Sequence, residues 1–328
     1  MKKTKRIMAL ILATLSLSMC FAGCGETSTS EESAQSGKYT IGICQLVTHD
    51  ALDAATNGFK DAVVEALGEE NVEFLEQNAA GDNNTCTTIV NDFVSKDVDL
   101  IMANATGALQ AAANATVDIP ILGTSITEYG VALEIDDFTG TVGGNISGTS
   151  DLAPLEDQAQ MIMDLVPEAK KVGLLYCSAE PNSAYQVKVV KEYLEGKGLT
   201  VKDFAFSASS DVAQVAEAAA ADSDVIYIPT DNTAASCTET INNVVLPTKT
   251  PIIAGEAGIC SGCGIATLSI SYEELGKKTG EMAVEILKGE KNISEMPIAY
   301  DDNPVKKYNK TICDELGITV PDDYEVLE

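Results

Sequence analysis

The sequence predicts an α/β protein made of two doubly wound parallel-sheet lobes joined by a multi-strand hinge. Three observations lead there. From Tyr39 onward, short continuous apolar runs alternate with longer segments of helical periodicity. This is the pattern of βαβ units whose sheet is covered on both faces. The alternation restarts after residue 150 with the same order and spacing. The length of 328 residues suits two domains better than one.

The elements follow in order. A strand over 39–46 leads to a helix over 52–67, where Leu52, Ala55, Phe59, Ala62, Val63 and Ala66 share one face. Strands over 72–77, 99–103 and 120–124 alternate with helices over 85–94 and 107–115. In the second half, strands over 171–177, 201–206, 224–228 and 251–255 alternate with helices over 183–194, 212–220 and 234–245. A last amphipathic helix over 272–287 is expected to return to the first lobe. The expected division is therefore 38–149 plus 272–292 for lobe 1, and 150–271 plus 293–328 for lobe 2. Crossovers near 149–152 and 268–272 would serve as hinges.

Residues 1–24 read as a processing signal. Lys2, Lys3, Lys5 and Arg6 precede an apolar run over 7–21, and Ala22-Gly23-Cys24 follows. The run is too short for a comfortable membrane span. Phe21-Ala22-Gly23-Cys24 resembles a bacterial lipobox, with Phe21 where an aliphatic residue usually stands. The resemblance makes Cys24 the lipidated first residue of the mature chain. Residues 25–37 are polar, small and acidic, and read as a flexible tether. The expected location is extracytoplasmic, held at the bacterial cell membrane by the lipid alone.

Composition narrows the function classes. Hydrophobic residues reach 45%, enough for a packed core, while aromatics are 5% and Trp is absent. The core must be built from Ala, Val, Ile and Leu. The net charge is −29, and removing residues 1–24 takes away four positive charges and no negative ones. Such a chain repels phosphate backbones, so no nucleic-acid partner is expected. Nine cysteines are present. Without Cys20 and Cys24 an odd number remains, scattered through strand patterns, which is not a disulfide framework. Cys44 and Cys177 are expected to pack as small hydrophobes. Cys260 and Cys263 form a C-x-x-C with no second pair and no nearby His, so no metal site is expected.

No catalytic constellation stands out. His49 is the only His. There is no G-x-S-x-G elbow, H-E-x-x-H, Walker lysine loop or EF-hand loop. Neither an enzyme nor a cofactor is expected.

The polar residues concentrate elsewhere. In open parallel sheets, ligands bind beyond the carboxyl ends of the strands. The loops there carry Gln45, His49, Asn104, Thr106, Thr124, Ser125, Ser150, Asp151, Glu180, Asn182, Ser183, Asp231, Asn232 and Glu256. Each loop opens a helix, whose free N–H groups favour an anion. A carboxylate such as Asp231 or Glu256 could hold an ammonium group. Taken singly, each residue is equally a cap or turn residue. The expectation rests on their converging on one cleft that holds a small molecule. Tyr129, Phe138 and Tyr185 are candidates for stacking on an aromatic ligand.

Several motifs together resemble one family. Gly42-Ile43-Cys44-Gln45, Thr48-His49-Asp50-Ala51-Leu52-Asp53 and Gly58-Phe59 resemble the opening of ABC-type substrate-binding proteins grouped with tryptophan and tyrosine transport. Asn145 to Asp151, Glu180 to Ser183 and Tyr227 to Thr233 resemble later motifs of the same family. So do Tyr272 and Leu275-Gly276, with Ser271 in place of the usual Asp. The resemblance implies a type I periplasmic-binding fold with three crossovers. It also implies an ABC permease and ATPase as partners and an amino acid, often aromatic, as ligand. Two rival readings remain: a ligand-sensing protein for a signalling receptor, and a secreted α/β lipoprotein enzyme.

Overall fold

The computed structural model describes residues 37–301 and 303–327. The expected signal segment, Cys24 and the tether up to residue 36 lie outside the described residues. The first lobe opens with β1 (Tyr39–Gln45), α1 (Asp50–Leu67), β2 (Val72–Asn78), α2 (Asn83–Ser95) and β3 (Leu100–Asn104). It continues with α3 (Thr106–Ala115), β4 (Ile121–Ile126), the short α4 (Tyr129–Ala132) and β5 (Ile146–Ser150). The side chains explain the layering. Ile41, Ile43, Leu100 and Met102 pack with Phe59 and Val63 of α1 on one sheet face. Cys44, Ile101 and Ala103 pack with Phe93 of α2 and Leu109 of α3 on the other. Alternate residues of each strand thus serve opposite faces, and β3 and β4 are buried throughout.

The second lobe repeats the plan with α5 (Leu155–Leu165), β6 (Lys171–Cys177), α6 (Pro181–Gly196), β7 (Thr200–Phe206) and α7 (Val212–Asp222). Then come β8 (Val225–Ile228), α8 (Asn232–Ala235), α9 (Thr238–Val245), β9 (Ile252–Ala254), α10 (Ala257–Cys263) and β10 (Ala266–Ser269). The chain ends with α11 (Tyr272–Leu287), β11 (Ala299–Tyr300), β12 (Val305–Tyr308), α12 (Lys310–Leu316) and β13 (Glu325–Val326).

The six-stranded first sheet has the order β11-β5-β4-β3-β1-β2, with every pair parallel. The seven-stranded second sheet has the order β13-β12-β10-β9-β8-β6-β7, and only β12 against β10 is antiparallel. The chain passes between the lobes after β5, after β10 and between β11 and β12. These are the crossovers of a type I periplasmic binding protein.

α11 lies against α1 of the first lobe. Ser271 accepts a hydrogen bond from the Glu274 N–H, which starts the helix with a capping-box pattern. Glycines then let it lie against α1. A Cβ on Gly58 would strike the Glu273 carbonyl, and one on Gly276 would strike the Ala55 carbonyl. Burying one Leu, Phe or Val side chain contributes about 1.5–3 kcal/mol, and Phe59, Val63 and Leu275 are all inaccessible or nearly so.

Two expectations need correction. Residues 293–300 stay with the first lobe rather than joining the second. β11 pairs with β5, Ile293 and Met296 fill the first core, and Ser147 Oγ donates to the Met296 carbonyl at 3.0 Å. The single helix expected over 234–245 is two, α8 and α9, because the chain turns at Ser236 and Cys237. Cys260 and Cys263 lie on α10, both buried, and all seven described cysteines are free thiols. Burial pushes both thiols up, so they pack as apolar groups.

Candidate functional site

A narrow, partly enclosed cavity lies where the carboxyl ends of the two sheets face each other. The first lobe contributes His49 and Leu52 at the start of α1, Ser125 and Thr127 at the end of β4, and Asp151 after β5. The second contributes Asn182 on α6, Thr230 to Asn232 after β8, Ala235, and Glu256 after β9. Tyr272, the first residue of α11, completes the lining. The lobes touch here: His49 Nε2 lies 3.2 Å from Asn232 Oδ1.

Asp151 is the most informative member. It is 4% exposed. Its Oδ2 accepts from the Tyr272 hydroxyl at 2.8 Å, whereas Oδ1 has no partner. Burial holds its carboxyl above the ordinary range. Ser125 is 6% exposed, and its Oγ is also unpartnered. Its φ is +56°, and the β4–β5 register slips between Gly123 and Ile126. A bulge of this kind re-aims a side chain at some backbone cost.

The remaining acids of the cavity are engaged. Asp231 caps α8 by accepting from the Ala234 N–H at 2.8 Å, and it also accepts from the Cys177 N–H at 2.6 Å. Burial and then the neighbouring Glu180 carboxylate push its pKa up. Glu256 caps α10 by accepting from the N–H groups of Gly258 and Ile259, and burial raises it too. Neither Lys nor Arg lines the cavity. The site is therefore rich in carboxylate, with the His49 ring as its only basic group.

Thus the structure gathers His49, Ser125, Asp151, Asn182, Asp231, Asn232 and Glu256 around one space. The other expected residues are placed off it, and most have partners within the protein. Gln45 Nε2 donates to the Val47 carbonyl and to Asp53, and its Oε1 accepts from Thr56. Asn104 donates to the Leu52 carbonyl and to Thr56. These bonds fix the first turns of α1 over the sheet. Glu180 accepts from the backbone N–H groups and side chains of both Asn232 and Thr233. Thr124 accepts from Thr149, Ser150 donates to the Thr127 carbonyl, and Ser183 accepts from Asn182. Thr106 is buried as the first residue of α3.

The stacking candidates lie elsewhere too. Tyr129 donates to the Gly123 and Thr149 carbonyls inside the first lobe and stacks on Phe138 at 6.4 Å. Tyr185 does not line the cavity. The apolar lining is instead Leu52, Ala235 and the Tyr272 ring. Tyr272 could have been found from its place at the mouth of a strand-to-helix crossover.

Among the described residues no helix is long and apolar enough to cross a membrane, and no group of His, Cys, Asp and Glu could hold a metal ion.

Residues 40–327 match the family described as ABC transporter substrate binding protein. A tyrosine-binding protein of Clostridioides difficile (strain R20291) is 37% identical over 310 residues, covering 91% of this chain and 88% of that one. A solved ABC domain from Streptococcus pneumonia in complex with L-Trp is 33% identical, with a TM-score of 0.84 over 89% of this chain and 100% of that one. A ligand-free, open substrate-binding protein with adhesive properties from Clostridium difficile is 37% identical, with a TM-score of 0.67 over 88% of this chain and 99% of that one. Identity is higher to the open structure, yet the shape follows the Trp-bound one, in keeping with lobes that touch across the cavity.

Proposed function

Since the chain belongs to the ABC transporter substrate-binding protein family, a family that works outside the cytoplasm, we propose that its cleft captures an α-amino acid with an aromatic side chain, tyrosine or tryptophan, for import. The observation that carries the reading is the unpartnered Oδ1 of Asp151 in a cavity without Lys or Arg. A buried carboxylate lacking a counter-charge is costly, and an ammonium group from the ligand removes that cost. Ser125 Oγ and the start of α1 receive the ligand carboxylate. The α1 N-cap, His49, makes no side-chain capping bond, so N–H groups there remain for an anion. Leu52, Ala235 and the Tyr272 ring flank the aromatic side chain.

Capture and delivery follow from two-lobe geometry. A ligand shifts the open–closed equilibrium only by its difference in affinity for the two forms. Contacts from both lobes supply that difference, and the crossovers absorb the rotation. In this reading Cys24 carries the lipid, residues 25–37 are the tether, and an ABC permease and ATPase receive the ligand. The similarity to tyrosine-binding and Trp-bound relatives supports the aromatic assignment. Titration calorimetry on a chain beginning at Gly25 tests it, with micromolar or tighter binding of tyrosine or tryptophan expected. Absence of heat with all twenty amino acids would remove the proposal.

A further inference from the structure

We infer that Asn182 is the specificity-determining residue of the cleft: its amide oxygen accepts a hydrogen bond from an O–H or N–H group on the ligand side chain, so tyrosine or tryptophan is held in preference to phenylalanine. The inference rests on the amino-acid reading above and adds what the second lobe recognises.

Asn182 is 5% exposed and lines the cavity. Its Nδ2 lies 3.2 Å from Glu180 Oε2, 3.3 Å from Ser183 Oγ and 3.0 Å from the Thr230 carbonyl. A carboxylate and a carbonyl only accept hydrogen bonds, so the amide nitrogen must face them. Turning the amide over would set oxygen against oxygen. The orientation is therefore fixed by its surroundings, and Oδ1 is the atom left without a partner.

The neighbouring donors are occupied. Asn232 Nδ2 donates to Glu180, and Thr230 Oγ1 donates to the Gly255 carbonyl. Asp231 and Glu256 act as acceptors for backbone N–H groups. The second-lobe wall thus offers a buried acceptor that nothing nearby satisfies. A site built around such an acceptor rejects a ligand lacking the matching donor, because binding would seal the orphan away from water.

The opposite wall decides which end of the ligand arrives here. Asp151, in the first lobe, also has an orphaned oxygen, and as a carboxylate it outcompetes a neutral amide for the ammonium. Asn182 is left to read the far end of the side chain.

The experiment compares ligands that differ by one donor. Calorimetry on the unmodified protein uses tyrosine against phenylalanine and 4-fluorophenylalanine, and tryptophan against 1-methyltryptophan. The tighter of tyrosine and tryptophan is expected to exceed its donor-free analogues by roughly 10- to 100-fold. Asn182→Leu, checked for folding by its thermal transition, is expected to remove most of that margin while phenylalanine binds as before or tighter. Equal affinities within each pair, or an equal loss for both ligands in the variant, overturn the inference. Binding of non-aromatic amino acids alone overturns it together with the aromatic assignment, leaving only capture of an amino acid. No binding of any amino acid removes both.

Discussion

The two walls of the cavity use buried carboxylates in opposite ways. On the second-lobe side, Asp231 and Glu256 each accept backbone N–H bonds as helix caps, and Glu180 just behind them accepts from Asn232 and Thr233. On the first-lobe side, Asp151 accepts one bond from Tyr272 and keeps an oxygen free. Burial alone therefore does not distinguish a binding carboxylate from a building one. The state of its lone pairs does. A saturated carboxylate holds loops in place, and an unsaturated one is incomplete until a ligand arrives.

Asp151→Asn breaks the comparison most severely. It keeps the shape and the Tyr272 contact but removes the charge. Ligand affinity is expected to fall by about 3 kcal/mol, roughly a hundredfold or more, as when one partner of a buried charge pair is lost. The ligand-free protein is expected to melt at the same temperature or slightly higher, because an uncompensated buried charge has gone. A large drop in melting temperature would place Asp151 among the building acids. Calorimetry and a thermal melt on the same sample check both.

Glu180→Ala tests the other wall and gives the next largest effect. It leaves the N–H groups of Asn232 and Thr233 and both their side chains without their acceptor. A loss of about 2–4 kcal/mol in unfolding free energy is expected from stranded buried donors. Urea titration without ligand measures it. Stability within about 0.5 kcal/mol of the parent, as for an ordinary surface change, would mean that water replaces the carboxylate.

The same contrast explains what the sequence disclosed. The alternating strands and helices of both halves, α11 among them, and the strand-end loops are legible because apolar periodicity and helix-start signals are local. The polar residues at strand ends were legible as a set, yet their division was not. Gln45 and Glu180 look as promising as Asp151 in a one-dimensional reading. Whether an oxygen already has a donor depends on partners such as Thr56 or Thr233, and for Glu180 that partner lies more than fifty residues away. The lobe to which residues 293–300 belong is hidden for a related reason. β11 has only two residues, too few for a period, and its membership is decided by pairing with β5 and by Ser147 holding the Met296 carbonyl. The break between α8 and α9 leaves no mark in the sequence, because neither Ser236 nor Cys237 is a strong helix breaker.

The smallest expected effect is a proton. Burial holds the Asp151 carboxyl above its ordinary range, so the native, ligand-free protein binds a proton at a pH where the unfolded chain has released it. As pH rises from about 4 through the raised native value, this residue takes stability away from the ligand-free protein. An ammonium ligand reverses the preference by favouring the carboxylate, so binding releases the proton and affinity rises with pH over the same window. Asp151 faces the His49 ring and the Tyr272 hydroxyl, and Glu256 in the same cavity is also raised by burial, so the pH profile is read together with a variant. Calorimetry in two buffers of different ionisation enthalpy, on the parent and on Asp151→Asn, separates them. A fraction of a proton is expected to leave on binding at mildly acidic pH in the parent, with an affinity change of up to about tenfold across the window. If the variant releases as much as the parent, the proton belongs to Glu256 or another neighbour, and Asp151 is already ionised before the ligand arrives.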